Sequence, residues 1–210
     1  MTSTKRTPLW RGRHPLVLAS KSPTRRALLE SLGLPVLAID SAVDERAIER
    51  GVVERGGDAP AIAAALAEAK ALRVSHLHPG MPVLGADQTL DFPGARFNKP
   101  TSREMARDQL RALSGREHRL HSAAAIAIDD RVIFAGLDTA RLWMRDFSDA
   151  FLDAYLDAAG DDVLGSVGAY QIEGLGAHLF ERVEGEHATI LGLPQRAILT
   201  FLRRDGYIIG

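Results

Sequence analysis

Leu16-Val17-Leu18-Ala19 is an unbroken apolar run, and it gives way to Ser20-Lys21-Ser22-Pro23 and then to the apolar residues Ala27, Leu28 and Leu29. This pattern predicts a strand at about 16 to 19 and a helix at about 23 to 32, with Ser22 as N-cap, Pro23 in the first helical position and Gly33 as the stop. A second strand is expected near 35 to 39, followed by an acidic loop. Asp58 and Pro60 open an alanine-rich helix from Ile62 to Leu77, with Glu68 and Lys70 among its few polar residues. Val83 to Leu90 reads as a buried strand with polar interruptions, and Pro93-Gly94 marks a turn before Phe97-Asn98-Lys99-Pro100. Thr101 and Glu104 have capping-box spacing for a helix that runs to about Leu113. Two long alternating runs, 117 to 128 and 131 to 145, flank Asp129-Asp130 as a hairpin. Ser148 caps a helix through Asp157, short strands are expected near 178 to 183 and 188 to 191, and Pro194 opens a last helix that ends before Gly206. Strand–helix units combined with an antiparallel hairpin predict an α/β fold, a mixed sheet flanked by helices.

The chain has 210 residues, 46% of them hydrophobic and 25% charged, the balance of an ordinary globular domain. No apolar run approaches the roughly 20 residues of a membrane helix. Residues 1 to 14 carry Lys5, Arg6, Arg11 and Arg13 without an acid and lack the apolar segment of a secretory signal, so they read as a flexible basic tail before a single domain at 15 to 210. Setting those four aside leaves 22 basic against 27 acidic residues, a formal charge of about −5 that argues against broad nucleic-acid binding. Cysteine is absent, which excludes thiolate chemistry and fits a reducing cytoplasm.

Four polar groups stand where packing has no need of them: Glu45 after the second strand, Lys70 on the long helix, Asp87 inside an apolar strand, and Lys99 between Asn98 and Pro100. Burying Asp87 costs several kcal/mol unless it is paired or metal-bound. The ordinary readings are a turn aspartate for Asp87 and a solvated loop lysine for Lys99. The turn from Ser20 through Ser22 to Arg25 and Arg26 has the form of an anion site, a strand end leading into a helix N-terminus with added positive charge.

Several segments together resemble the Maf family of nucleoside triphosphate pyrophosphatases. They are Leu18-Ala-Ser-Lys-Ser-Pro-Thr-Arg-Arg-Ala-Leu-Leu-Glu30, Val43-Asp-Glu45, Ala69-Lys70-Ala71, Gly85-Ala-Asp-Gln88, Lys99-Pro100, Leu113-Ser-Gly115, Gly168-Ala-Tyr-Gln-Ile-Glu-Gly-Leu-Gly176, and Val183-Glu-Gly185 followed by Gly192-Leu-Pro194. The resemblance implies a two-lobed, Maf/inosine-triphosphatase-like mixed sheet with a central cleft, and a homodimer. The implied reaction is hydrolysis of a nucleoside triphosphate between its α and β phosphates with a divalent cation, Mg²⁺ or Mn²⁺. By position, Ser20, Arg25, Glu45, Lys70, Asp87 and Lys99 fall on the family's site. Asp87 is then the base that activates water, Glu45 and Asp87 face the metal, and Arg25, Lys70 and Lys99 neutralise phosphate oxygens, with Ser22 and Arg26 beside them. Asn98 stands where the family usually has glycine, and Thr24 where many members have arginine.

Within that family, Asp-Gln and a later glutamate mark the 7-methyl-GTP subgroup, whereas Asp-Thr and a glutamine mark the dTTP and UTP subgroup. Asp87-Gln88 and Glu173-Gly174 resemble the first, and a carboxylate at Glu173 suits the N1–H and exocyclic amine of a methylated guanine. Gly168-Ala-Tyr170 resembles the second. A non-catalytic, nucleotide-binding regulator of cell division is the alternative of a different class. Gly174-Leu-Gly176 lacks a dinucleotide fingerprint's context, His76/His78 and His118/His121 lack further zinc ligands, and Trp143 and Met144 suit core or dimer packing.

Overall fold

In the computed structural model, which describes residues 7 to 210, the chain forms β1 (Leu16–Leu18), α1 (Pro23–Ser31), β2 (Val36–Ala38), α2 (Glu45–Glu54), α3 (Ala59–Leu77), β3 (Val83–Phe92) and β4 (Ala95–Arg96). There follow α4 (Arg103–Leu113), β5 (Glu117–Ile128), β6 (Arg131–Met144) and α5 (Asp149–Ala159), then two 3₁₀ turns, Gly160–Gly165 and Leu175–Leu179, and finally β7 (Phe180–Glu184), α6 (His187–Ile190) and α7 (Gln195–Arg204). The strands make one seven-stranded mixed sheet in the order β2-β1-β3-β5-β6-β7, with β4 paired to β3. β1 lies parallel to both β2 and β3, whereas β7 is antiparallel to β6.

Short polar side chains set where the helices begin. Ser22, Asp44, Asp58, Ser102 and Ser148 each accept the backbone N–H three residues on, a cap worth about 1 kcal/mol apiece. The cap of α4 is therefore Ser102, not Thr101. Asp129 and Asp130 both take positive φ, 48° and 61°, as a two-residue hairpin turn requires. Their carboxylates are fixed by Gly80 N–H at 2.7 Å and His76 Nδ1 at 3.0 Å.

Two expectations are corrected. The acidic stretch after β2 contains α2, whose Ile48 and Val52 pack with Ile62 and Leu66 of α3. The apolar run 188 to 191 is not a strand: α6 is a short helix, since an apolar run this short carries no period of its own.

The chain divides into two compact units, one made of the residues up to Gln88 with 121–138 and 187–210, the other of 89–120 and 139–186. In the first unit the pleat separates two packed faces. Leu16, Leu18, Leu84, Ala86, Ala124 and Ile126 meet Ile198, Phe201 and Leu202 of α7, while Val17, Ala19 and Val83 meet Val74 of α3. Along that second face α3 presents Ala63, Ala67 and Ala71 against Ala123, Ala125 and Ala127 of β5. Small residues on both sides permit close approach. At Gly85 a Cβ would stand 2.1 Å from the Ala67 carbonyl oxygen, so only glycine fits there.

The tail reading is corrected for residues 7 to 14, while residues 1 to 6 lie outside the described residues. Trp10 is 6% exposed, bridges to Ile208, stacks on Tyr207 and donates its ring N–H to the His14 carbonyl at 3.0 Å. Burial of a large indole overrides the basic composition around it.

In the second unit α4 and α5 pack together, and Arg103, Arg107 and Arg111 pair in reverse order with Asp157, Asp153 and Asp149, which makes the helices antiparallel. Met144 is buried, and the guanidinium groups of Arg141 and Arg182 lie over the Trp143 ring, 5.0 and 4.8 Å from its centre. No helix among the described residues is long and apolar enough to cross a membrane.

Candidate active site

The pleat that turns Val83 and Gly85 toward α3 also turns Asp87 that way, two residues further along the same face. On α3, Lys70 adjoins the contact residues Ala67 and Ala71. The two side chains meet, with Lys70 Nζ 2.6 Å from Asp87 Oδ1. Lys70 is 6% and Asp87 8% exposed, so both charges are buried and each needs the other. Glu45, at the N-terminus of α2, reaches the same ammonium at 2.6 Å from the exposed side. Because Asp44 caps α2, the first helical residue is fixed at this point.

Arg25 closes the group. Its Nε donates to the Gly192 carbonyl at 3.0 Å and its Nη1 to the Ala86 carbonyl at 2.9 Å, which ties α1 to β3 and to the segment after α6. Gly192 has φ +101° and would place a Cβ 3.1 Å from Arg25 Nε, so this close approach also requires glycine. Burial pulls the guanidinium below its ordinary proton affinity, and Asp87 and Glu45 oppose that shift. Burial pushes the Asp87 carboxyl well above the usual carboxylate range, against the pull of Lys70 and Arg25, and Glu45 adds to the rise.

The turn before α1 is more self-contained than its sequence suggests. Ser20 Oγ accepts from Ser22 N–H at 3.2 Å, Ser22 Oγ accepts from Arg25 N–H at 3.3 Å, and Pro23 has no N–H. Most of the donors expected to face an anion are thus spent inside the turn. Arg26 does not join the cluster: it pairs with Glu30 at 2.7 Å on the exposed side of α1. Gln88 turns its amide nitrogen inward to Ser122 Oγ, Thr189 O and Ile190 O at 2.9 to 3.0 Å, which anchors α6 to β3. Ser122 and Thr189 escaped the sequence reading, and Gly192 entered it only within a family-like segment and without a role, because what they do lies in long-range bonds, several through backbone atoms, that no local spacing records.

Lys99 and Glu173 belong to the second unit, both exposed, on the loop before α4 and on the segment between the two 3₁₀ turns. Asn98, where glycine was the expected residue, is not among the positions of positive φ, so this loop makes no demand for glycine. His118 Nε2 and the Tyr170 hydroxyl are 2.7 Å apart in the interior of this unit.

A divalent cation can be tested against this donor set. Among the described residues no three His, Cys, Asp or Glu side chains cluster as a metal cage. Glu45 and Asp87 do converge on one point, the Lys70 ammonium, and two hard carboxylates suit Mg²⁺, which completes its shell with water and phosphate oxygens.

The Maf-like protein family matches residues 15–205. A nucleoside triphosphate pyrophosphatase of Bradyrhizobium diazoefficiens is 51% identical over 200 residues, 95% of this chain and 98% of that one. A protein of the same name from Nitrobacter hamburgensis is 52% identical over 200 residues, with the same shares covered. A HAM1 protein structure from Coxiella burnetii aligns with a TM-score of 0.48 at 18% identity, covering 90% of this chain and 96% of that one. With its family matched across nearly its whole described length, the chain belongs to the Maf-like proteins.

Proposed function

We propose that this protein is a nucleoside triphosphate pyrophosphatase that cleaves between the α and β phosphates, releasing a nucleoside monophosphate and pyrophosphate, with 7-methyl-GTP as its preferred substrate. The observation that carries the reading is the buried Asp87–Lys70 pair, joined by Glu45 and backed by Arg25, an expensive arrangement that packing alone would replace with apolar residues.

Asp87 accepts a proton from the attacking water at its carboxylate. Its raised proton affinity makes it a stronger base than an exposed aspartate while Lys70 and Arg25 favour its ionised form. Arg25, with two donors spent on carbonyl groups, holds its remaining charge in place for phosphate oxygens without reorganising. Glu45 and Asp87 would hold a divalent cation, which when bound supplies neutralisation of phosphate charge. Lys99 is assigned to phosphate, and Glu173 to the guanine edge, by the family resemblance. Gln88, its amide nitrogen engaged, has only its carbonyl oxygen left for a substrate. A homodimer belongs to this reading, with a solution mass twice that of one chain in light scattering.

Pyrophosphate release from 7-methyl-GTP, UTP and dTTP, measured with Mg²⁺ or Mn²⁺, tests it. The expected result is the highest kcat/KM on 7-methyl-GTP. Faster turnover of the pyrimidines overturns the base assignment in favour of the relationship suggested by Gly168-Ala-Tyr170. No release from any of them overturns the activity and leaves a nucleotide-binding regulator.

A further inference from the structure

Gln109 is the polar outlier of α4. It is 6% exposed and lies on the face that buries Ala106, Leu110 and Leu113, where a helix of this pattern takes an apolar residue. Both ends of its amide are engaged. Nε2 donates to the Asn98 carbonyl at 2.8 Å, and Oε1 accepts the Gly168 N–H at 3.2 Å. Since a carbonyl only accepts and a backbone N–H only donates, a single orientation of the amide satisfies both.

The two segments it joins are those that carry Lys99 and lead to Glu173. Asn98 immediately precedes Lys99, and Pro100 on the other side is buried. Gly168 and Ala169 have φ of +85° and +60°, the latter strained for a residue with a Cβ. That turn is held by further bonds: Tyr155 OH donates to the Ala169 carbonyl at 3.3 Å, Ser166 Oγ to the Tyr170 carbonyl, and the Tyr170 hydroxyl meets His118. The loop at Asn98 is fastened to the same frame through Gln109.

We infer that Gln109 is a positioning residue, one side chain that sets the phosphate-binding lysine's loop and the base-reading segment in register with each other. This rests on the proposed roles of Lys99 and Glu173. It predicts that turnover and base selectivity are linked through a residue that touches no substrate.

Two substitutions separate the arms. Q109E, assayed at the alkaline end of the range where its buried carboxyl is ionised, still accepts from Gly168 but cannot donate to Asn98, so kcat falls there on 7-methyl-GTP and UTP alike while the ratio of their kcat/KM values is kept. Q109M retains length and loses both bonds, so kcat falls and the ratio moves toward one. A loss on the order of tenfold to 100-fold in kcat is expected from misplacement of this kind. K99M and E173Q, assayed alongside, supply the reference effects on turnover and selectivity, and thermal melting of every variant reports folding. If K99M and E173Q impair turnover and selectivity while Q109M and Q109E, both folded, match the parent protein, the inference is overturned and the function stands. If K99M and E173Q themselves match the parent, the assigned roles fail and the inference falls with them. Should Q109M not fold, a kcat in Q109E that matches the parent protein at every pH up to the alkaline end of the range is enough to overturn it.

Discussion

The two units bury polar groups in opposite ways. In the first, Asp87 and Lys70 are enclosed as partners 2.6 Å apart, with Arg25 and Glu45 adding charge at close range. In the second, His118 and Tyr170 are enclosed as neutral partners 2.7 Å apart, and burial pulls the histidine down to about 4 while it drives the tyrosine hydroxyl far above its normal range. A neutral hydrogen-bonded pair is the less costly way to fix a shape, and the protein uses it where the task is to hold a turn. Among the described residues, charged side chains are buried only around Asp87. The difference is the one the proposed active site calls for, with free energy diverted from stability to chemistry around Asp87 alone.

The comparison can be broken most directly at Asp87. D87N is expected to lower turnover by about 10² to 10⁴ while leaving the fold intact, because removing the buried carboxylate still leaves Lys70 its pair with Glu45. In the parent protein the acid limb of kcat/KM should lie above the range of an ordinary aspartate, the direction set by burial. Full turnover by D87N would remove the base from this site. K70M is expected to abolish turnover as well, but also to destabilise by about 3 to 5 kcal/mol, since it leaves Asp87 buried without its hydrogen-bonded partner. Denaturant melts of K70M and of the double variant D87N/K70M read this: the second should regain most of what the first loses.

The neutral pair makes the next largest prediction. His118 binds its proton less readily folded, at about 4, than unfolded, near 6.5. Between those values the unfolded chain takes up the proton first, so stability is complete above about pH 6.5 and falls as pH drops toward 4, by roughly 3 kcal/mol in all. Melting curves across that window should show a slope that H118Q flattens. If H118Q keeps the slope, the histidine is not its source. The smallest effect belongs to the ladder of Arg103, Arg107 and Arg111 with Asp157, Asp153 and Asp149 on the surface of α4 and α5. Replacing the three aspartates by asparagine should shift the melting temperature slightly at low salt and not at all in molar salt, since solvent screens exposed pairs.

Much of the frame could be read from the chain because its signals are local. Ser22-Pro23 and Asp58 with Pro60 announce α1 and α3, and the apolar runs at 16 to 19 and 83 to 86 announce the strand before α1 and the strand after α3. α2 was hidden because Ile48 and Val52 are nearly its whole apolar face and Gly51 sits between them, although Asp44 offered a cap. Trp10 was hidden for a different reason: its partners, Tyr207 and Ile208, lie at the far end of the chain. Asp87 stood out as a carboxylate in an apolar strand. The partners of Arg25 did not, because they are the carbonyl oxygens of Gly192 and Ala86, which every residue possesses. Gln109 had left a visible trace, an amide on the apolar stripe of an otherwise regular amphipathic helix.

The contact at Gly85 has a consequence for the lineage that carries it. With the Ala67 oxygen occupying the place a methyl group would need, growth of that residue by one carbon forces α3 outward, and the ammonium of Lys70 leaves with it. Mutational paths that enlarge residue 85 are therefore closed at their first step by packing alone, and a library designed to broaden substrate range should hold this codon fixed.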